Sequence, residues 1–313
     1  MSKINSYIKI YSHICQEKGI SYEYFGPFHR GMILTKKNGL PAFIYKSATS
    51  LNNHSSRIIS HSKVFTVKFL RQAGIPTSEQ YRVKTLEGLQ EVFAQVKDIV
   101  VKPADSKGGN GVTMLPSNEE LQLAFEFAKK YSNTIIVERY IPGENYRFLV
   151  LDDKVLSIVH RDPPFIIGDG VSTIRSLVED KNLIEQQKGV PSIKFSAETL
   201  RVLKHQNITP KTVPTTGQKV FVRLTGNLSK GATARDITDL VPEKHKKVAI
   251  AGAKALGLRF AGVDIICQDI YSDSTQSYII EINATPGLKM HYFEEIGQKR
   301  NVAEAIIDAI YTS

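Results

Sequence analysis

The chain has 313 residues, 42% of them hydrophobic and 23% charged, a balance ordinary for a soluble globular protein and a length that allows two or three lobes. A formal net charge of +10 raises nucleic acid as a partner. However, the basic residues are scattered among acids, as in Glu243-Lys-His-Lys-Lys247, with no Arg-rich tail, zinc-finger spacing or RNA-binding aromatic pair. No apolar run approaches membrane-spanning length, the N-terminus lacks a signal-peptide core, and Cys15 and Cys267 alone make neither a disulfide framework nor a cysteine zinc site. The expectation is a cytoplasmic protein with an anionic small-molecule site, without nucleic acid or membrane.

Residues 1 to about 60 read as a small α/β lobe: a helix over Lys3–Lys18 ending at Gly19, then strands near Ile20–Phe25, Met32–Thr35 and Ala42–Tyr45, with Asn38-Gly39 as a hairpin signal. Ser62 caps a helix that stops at Gly74, and Lys63 sits in its first turn, where a cation opposes the helix dipole and an anion nearby would explain it. A helix near Leu86–Val96 and a strand Asp98–Pro103 lead into Ala104-Asp-Ser-Lys-Gly-Gly-Asn-Gly-Val112. Such a glycine-rich stretch lets backbone amides wrap phosphate oxygens, with Lys102 beside it, although a plain β-turn reads the same way. It is not a Walker A loop, since no Gly-Lys-Ser/Thr opens a helix. Ser117 and Glu120 form a capping box before a helix through Ala128.

The strand Thr134–Ile141 ends in Pro142-Gly-Glu144, and two more strands, joined by Asp152-Asp153, carry Arg147 and finish at His160-Arg161. Pro163–Gly170 reads as a loop before a short helix, Ser172–Asp180. Residues 181–216 read as irregular and polar, either a lid or a surface excursion. A strand Lys219–Leu224 carries Arg223, a helix spans Pro242–Leu256, and a strand Phe260–Cys267 carries Asp264. The strand at Tyr278 runs into a Pro-Gly turn at Gly287, and a last helix spans Asn301–Ile310. Glu281 and Asn283 are two apart on that strand and share a face. A carboxylate and an amide oxygen side by side suit Mg²⁺ held with nucleotide phosphates; two solvated residues at a sheet edge also fit.

Six stretches in this order, VVKPADSKGGNGV, VERYIPGENYRFLV, HRDPPFIIGDGVSTI, VRLTGNLSKGATARDITD, FAGVDII and EINATPGLKMHYF, resemble the ATP-grasp superfamily. The resemblance covers roughly residues 60–313 and is greatest to the ATP-grasp module of cyanophycin synthetases, with bifunctional glutathione synthetases sharing much of the region. It implies an α/β (α+β) ATP-grasp fold with the nucleotide between two mostly antiparallel sheets. The expected domains are an N-terminal α/β lobe at 1–60 and an ATP-grasp domain at 61–313, with a glycine-loop lobe at about 97–140 and a metal and catalytic lobe at about 141–313.

Residue by residue, the resemblance implies that Lys63 and Lys102 contact ATP phosphates and that Ser106, Lys107, Gly108, Gly109 and Gly111 form the covering loop. Glu138, Arg139, Tyr140 and Ile141 would be the adenine hinge, with Glu144 on the ribose. Asp264, Glu281 and Asn283 would hold two Mg²⁺ ions, with Mn²⁺ able to substitute. Arg223, with Lys102 and Asn227, would serve the moving phosphoryl group, and Arg147, His160, Arg161, Gly231, Thr233, Gly287 and His291 would lie near the acceptor or acyl phosphate. Asn145 and Asp162 depart from the residues the resemblance would place there, which leaves acceptor specificity open.

The implied reaction is formation of an amide from an amino-acid or small-peptide carboxylate and an amine, with release of ADP and phosphate. The Mur-ligase-like domain that follows this module in cyanophycin synthetases, and their long N-terminal domain, have no counterpart here, so a stand-alone ligase is expected, a homo-oligomer by analogy. A small-molecule kinase of the same fold and a non-catalytic nucleotide-binding partner are the alternatives.

Overall fold

The computed structural model describes residues 4–106, 108–187, 192–224, 226, 231–292 and 300–313. The chain divides into two compact units: residues 1–78, 141–160 and 236–313 form the first, and residues 79–140 and 161–235 the second. No helix among the described residues is long and apolar enough to cross a membrane.

In the first unit, the helix Ser6–Glu17 is capped by Asn5, whose side chain accepts from the Tyr7 amide, and it packs on the C-terminal helix Val302–Thr312. An antiparallel sheet of Tyr22–Phe25, Gly31–Thr35, Pro41–Tyr45 and Ala48–Thr49 joins them. Its inward residues Met32, Leu34, Ala42 and Ile44 alternate with outward ones and share one core with Ile8, Tyr11, Leu149, Phe260 and Ile306.

The second core of this unit lies under four strands of a five-stranded sheet, in the order Lys154–Asp162, Glu144–Leu151, Phe260–Cys267, Tyr278–Asn283. All neighbours in this run are antiparallel. Phe260–Cys267 is central and almost wholly buried, as a near-continuous apolar run requires. The helix Glu243–Ala255 covers the sheet with Ala249 and Ala253, and the helix Lys63–Gln72 adds Leu70. Ser62 caps the latter by accepting from the Phe65 amide, as its sequence predicts.

In the second unit, a sheet in the order Gln80–Val83, Ile135–Arg139, Ile99–Pro103, Thr113–Met114 is antiparallel throughout. The helices Leu86–Gln95 and Leu121–Lys129 bury Leu89, Val92, Leu121 and Phe125 against it. The Ser117–Glu120 capping box forms as expected. The remaining part has its own core of Ile166, Ile174, Val178, Leu203, Val220 and Val222.

Here the structure corrects the sequence reading. Phe165–Ile167 is a strand paired with Lys219–Phe221, not a loop, and the helix that follows spans Ile174–Gln187. Within residues 181–216, read as irregular, lies the helix Ala197–His205. Ser196 caps it by accepting from the Thr199 amide, and Val202 and Leu203 reach the core. Its polar composition hides a narrow apolar stripe, which is why periodicity missed it. The helix His54–His61, capped by Asn53, was likewise unread.

Asn52 links the two sheets of the first unit. Its Oδ1 accepts from the Arg259 and Phe260 amides at 3.0 Å each, and its Nδ2 donates to the Phe260 and Ala284 carbonyls. Asn52→Ala strands these buried backbone groups and should cost about 3 kcal/mol, read as a lower urea midpoint at unchanged slope. A midpoint equal to that of the native chain would contradict this role.

Candidate active site

The first unit builds a charged row on one sheet face. Arg147, Asp264 and Glu281 stand opposite one another in register on three adjacent strands, and Asn283 lies opposite Gly262, two residues from Asp264. Arg147 binds Asp264 through Nε to Oδ1 and through Nη2 to Oδ2, the latter at 2.9 Å. Both side chains are buried. Burial opposes the Arg147 charge, yet Asp264 and then Glu281 outweigh it and raise its pKa above the usual arginine value.

Two backbone features make room for this row. A Cβ on Gly262 would stand 3.0 Å from Arg147 Nη1 and 2.8 Å from Pro286 Cβ, so only glycine lets the guanidinium cross there. A register shift beside Asp264 makes Ile280 an extra residue and leaves Ile279 and Ile282 both buried. The bulge turns Glu281 and Asn283 away from the core.

Two carboxylates and an amide oxygen are hard donors of the kind Mg²⁺ takes, and this ion normally completes its shell with water and substrate phosphates. Each Asp264 oxygen accepts from Arg147, which fixes the direction of the carboxylate. The donor set therefore fits the ion. Among the described residues no three His, Cys, Asp or Glu side chains form a closed cage.

Around the row, Glu144 Oε2 accepts from the Tyr146 hydroxyl at 3.2 Å and lies 3.0 Å from His160 Nε2. The His160 ring is buried and stacks on Tyr146 at 4.9 Å. Burial, then the Glu144 charge, holds the Tyr146 phenol far above its ordinary range. His291 Nδ1 meets the Ser157 hydroxyl at 2.8 Å, and Ser157 is 3.2 Å from Asp236, which Arg300 binds. Gly287 lies against the N-terminal helix, close to the Tyr7 hydroxyl. Lys63 begins the helix that Ser62 caps.

In the second unit Lys102 and Glu138 lie diagonally on neighbouring strands and pair at 2.7 Å, largely buried, with Gln80 Nε2 also donating to Glu138 at 2.9 Å. Ser106 donates to the Asn110 carbonyl at 2.8 Å, and Gly108, Gly109 and Gly111 have φ of 68°, 69° and 73°. Glycines in this conformation turn backbone N–H groups toward one side of a turn, as anion-binding nests do. Arg139 pairs with the exposed Glu79, and the Tyr140 amide donates to the Asp98 carbonyl at 2.8 Å.

Arg223 is buried, just beyond the strand Lys219–Phe221, and its Nη1 pairs with Glu198 at 2.9 Å. Arg161 packs its backbone against Gly226, Gly231 takes a φ of 88°, and Thr233 opens the strand Thr233–Asp236. Lys107 and Asn227 lie outside the described residues.

The structure thus gathers Arg147, Asp264, Glu281 and Asn283 into one cluster and Glu144 and His160 into another in the first unit. In the second it joins Lys102 to Glu138 and sets Arg223 apart with Glu198. The sequence reading missed Glu198, Ser157, Asp236 and Arg300. Only the Asp236-Ile-Thr-Asp239 stretch stood within a quoted motif.

Two family models match: an ATP-grasp domain over residues 60–162 and a RimK-like ATP-grasp domain over residues 192–310. The chain is 31% identical over 275 residues to the glutathione biosynthesis bifunctional protein GshAB of Clostridium perfringens, a match covering 84% of this chain and 35% of that protein. It is 35% identical over 259 residues to the cyanophycin synthetase of Trichormus variabilis, covering 80% of this chain and 29% of that one. The chain spans roughly a third of the length of these curated relatives. Among solved structures, a bifunctional glutathione synthetase from Pasteurella multocida superposes with a TM-score of 0.70 at 27% identity, covering 99% of this chain and 44% of that one.

Removing one partner of a buried ion pair leaves an uncompensated charge, so Arg147→Met should destabilise the chain by about 3–5 kcal/mol. Adding Asp264→Leu should recover most of that loss in thermal unfolding. A single variant as stable as the native chain would contradict the burial argument.

Proposed function

Because the chain belongs to the ATP-grasp superfamily, we propose that it is an ADP-forming carboxylate–amine ligase acting on amino-acid or small-peptide substrates. The observation that carries this reading is the row of Arg147, Asp264 and Glu281 with Asn283 beside it. A protein that only recognised a nucleotide would have no need of two carboxylates and an amide on one sheet face around a buried guanidinium. The names of the similar proteins, glutathione biosynthesis and cyanophycin synthesis, agree with amino-acid or peptide substrates in kind.

In the proposed reaction an oxygen of the donor carboxylate attacks the γ-phosphorus of ATP, the bond to the β-phosphate oxygen breaks, and ADP leaves. The amine then attacks the acyl carbon of the resulting acyl phosphate, phosphate departs, and the amine proton passes to solvent or a nearby base. ATP replaces a poor leaving group, oxide, with a good one. No protein nucleophile is required, so the chain contributes positioning and charge.

Lys63, Lys102 and the backbone of Ser106 to Gly111 would hold phosphate oxygens, and Glu138 to Ile141 with Glu144 the nucleoside. Asp264, Glu281 and Asn283 would hold two Mg²⁺ ions, for which Mn²⁺ would substitute; the ions would offset charge on the phosphates. Arg147 would keep Asp264 ionised and aimed. Arg223 would offer a planar fork to the moving phosphoryl group, which a lysine would not. His160, Arg161, Gly231, Thr233, Gly287 and His291 would lie toward donor and acceptor. Action in the cytoplasm goes with this reading.

With Mg²⁺ and a panel of amino acids and dipeptides, some pair should yield ADP, phosphate and a new amide, identified by mass spectrometry. Glu281→Ala should lower that turnover at least about 100-fold while the thermal midpoint stays near native, as expected for a metal donor at a developing charge. A stable phosphorylated product would favour a kinase, and full activity in the variant would remove the metal assignment.

A further inference from the structure

Arg223 differs from the other buried arginine described above in which edge of its guanidinium is used. Arg147 spends its Nε/Nη2 edge on both oxygens of Asp264. Arg223 is anchored at the opposite corner, Nη1, by Glu198 Oε2 at 2.9 Å, with both side chains largely buried. Among the described residues its Nη2 makes only long contacts, 3.4 Å to the Lys194 carbonyl and 3.5 Å to Ser196 Oγ. Its Nε is buried without an acceptor among the described residues. Nε and Nη2 are the two donors that bind a carboxylate or phosphate side-on, and burying that edge unfilled costs stability.

The anchor is itself fixed. Glu198 lies in the first turn of the helix Ala197–His205, which Ser196 caps. Thr199 is fully buried and donates from Oγ1 to the Lys194 carbonyl at 2.9 Å. At the other end Gln206 brackets Phe221 like an added strand, donating to its carbonyl at 2.7 Å and accepting from its amide at 3.3 Å. Phe221 is two residues before Arg223, so the helix carrying Glu198 and the segment carrying Arg223 are tied at both ends.

We propose that Glu198 is a positioning residue: it grips Arg223 by Nη1 and thereby presents the Nε/Nη2 edge to a phosphoryl oxygen. The proposal rests on the reading of Arg223 as a phosphate contact and extends it to a residue of the stretch at 181–216. Glu198 touches neither nucleotide nor substrate in this account; its effect passes through Arg223.

The probes are Mg·ADP and the non-hydrolysable Mg·β,γ-imido-ATP, titrated calorimetrically into the full chain and into E198A, E198Q, R223A and E198A/R223A, with thermal midpoints alongside. R223A and E198A should each lower the preference for imido-ATP over ADP about tenfold, as loss of one charge-assisted contact would. In the R223A background E198A should change that preference by less than about twofold, the signature of action through Arg223. Should E198A fail to fold, E198Q carries the comparison, with a smaller loss in the same direction. If R223A loses the preference and neither Glu198 variant does, the positioning role is wrong and the phosphate contact stands. If R223A keeps the preference, the reading of Arg223 falls and the proposal with it. An equal effect of E198A in both backgrounds also overturns it.

Discussion

The buried pair of Arg147 and Asp264 is the constraint on which the first unit's site depends. Two charges taken out of water are costly, and their attraction repays this only when geometry is good and other bonds are satisfied. Here the two strands are adjacent, the residues are in register, and the guanidinium takes both carboxylate oxygens. A hydrophobic pair in the same volume would be nearly as stable. What the ion pair adds is a carboxylate held in a fixed orientation in the interior, beside Glu281 on the next strand. Gly262 and the bulge at Ile280 follow from the same need: one clears the path of the guanidinium, and the other turns the second carboxylate and the amide out of the core.

The second unit handles its charges differently. Lys102 is paired with Glu138, which also accepts from Gln80, so the buried lysine has a fixed counter-charge. Among the described residues Arg223 is paired with a carboxylate at one corner only. In the proposed reaction the partners are strongly anionic, and a site of fixed cations and oriented amides would meet them without rearranging solvent. Glycine loop, lysine and arginine each provide one form of that positive potential. The carboxylates beside them keep the unit from carrying bare buried charge.

Much of this was legible in the sequence, for physical reasons that differ by element. Tyr278–Asn283 was readable because a β-branched run leading to Pro286-Gly287 allows few alternatives, Phe260–Cys267 because it is a short, mostly apolar run, and the Ser62 and Ser117 caps announce their helices directly. The pairing of Glu281 with Asn283 on one face survives the bulge, since the extra residue precedes both. The motif order gave the ATP-grasp fold. Hidden were the contacts that depend on which strand lies beside which. Nothing in the local pattern says that Arg147 meets Asp264, 117 positions away. Nor does it say that Asn52 holds Phe260 and Ala284, or that Glu198, in a polar stretch with a weak stripe, meets Arg223.

In the proposed reaction this chain activates a carboxylate by phosphorylation and then passes the acyl group to an amine. The most direct measurement uses a carboxylate donor labelled with ¹⁸O in both oxygens, ATP, Mg²⁺ and the amine that supports turnover, with the released phosphate read by ³¹P NMR. Each phosphate released should carry one ¹⁸O, because the donor oxygen that attacks the γ-phosphorus leaves with it. Unlabelled phosphate accompanying amide formation would contradict the proposed reaction.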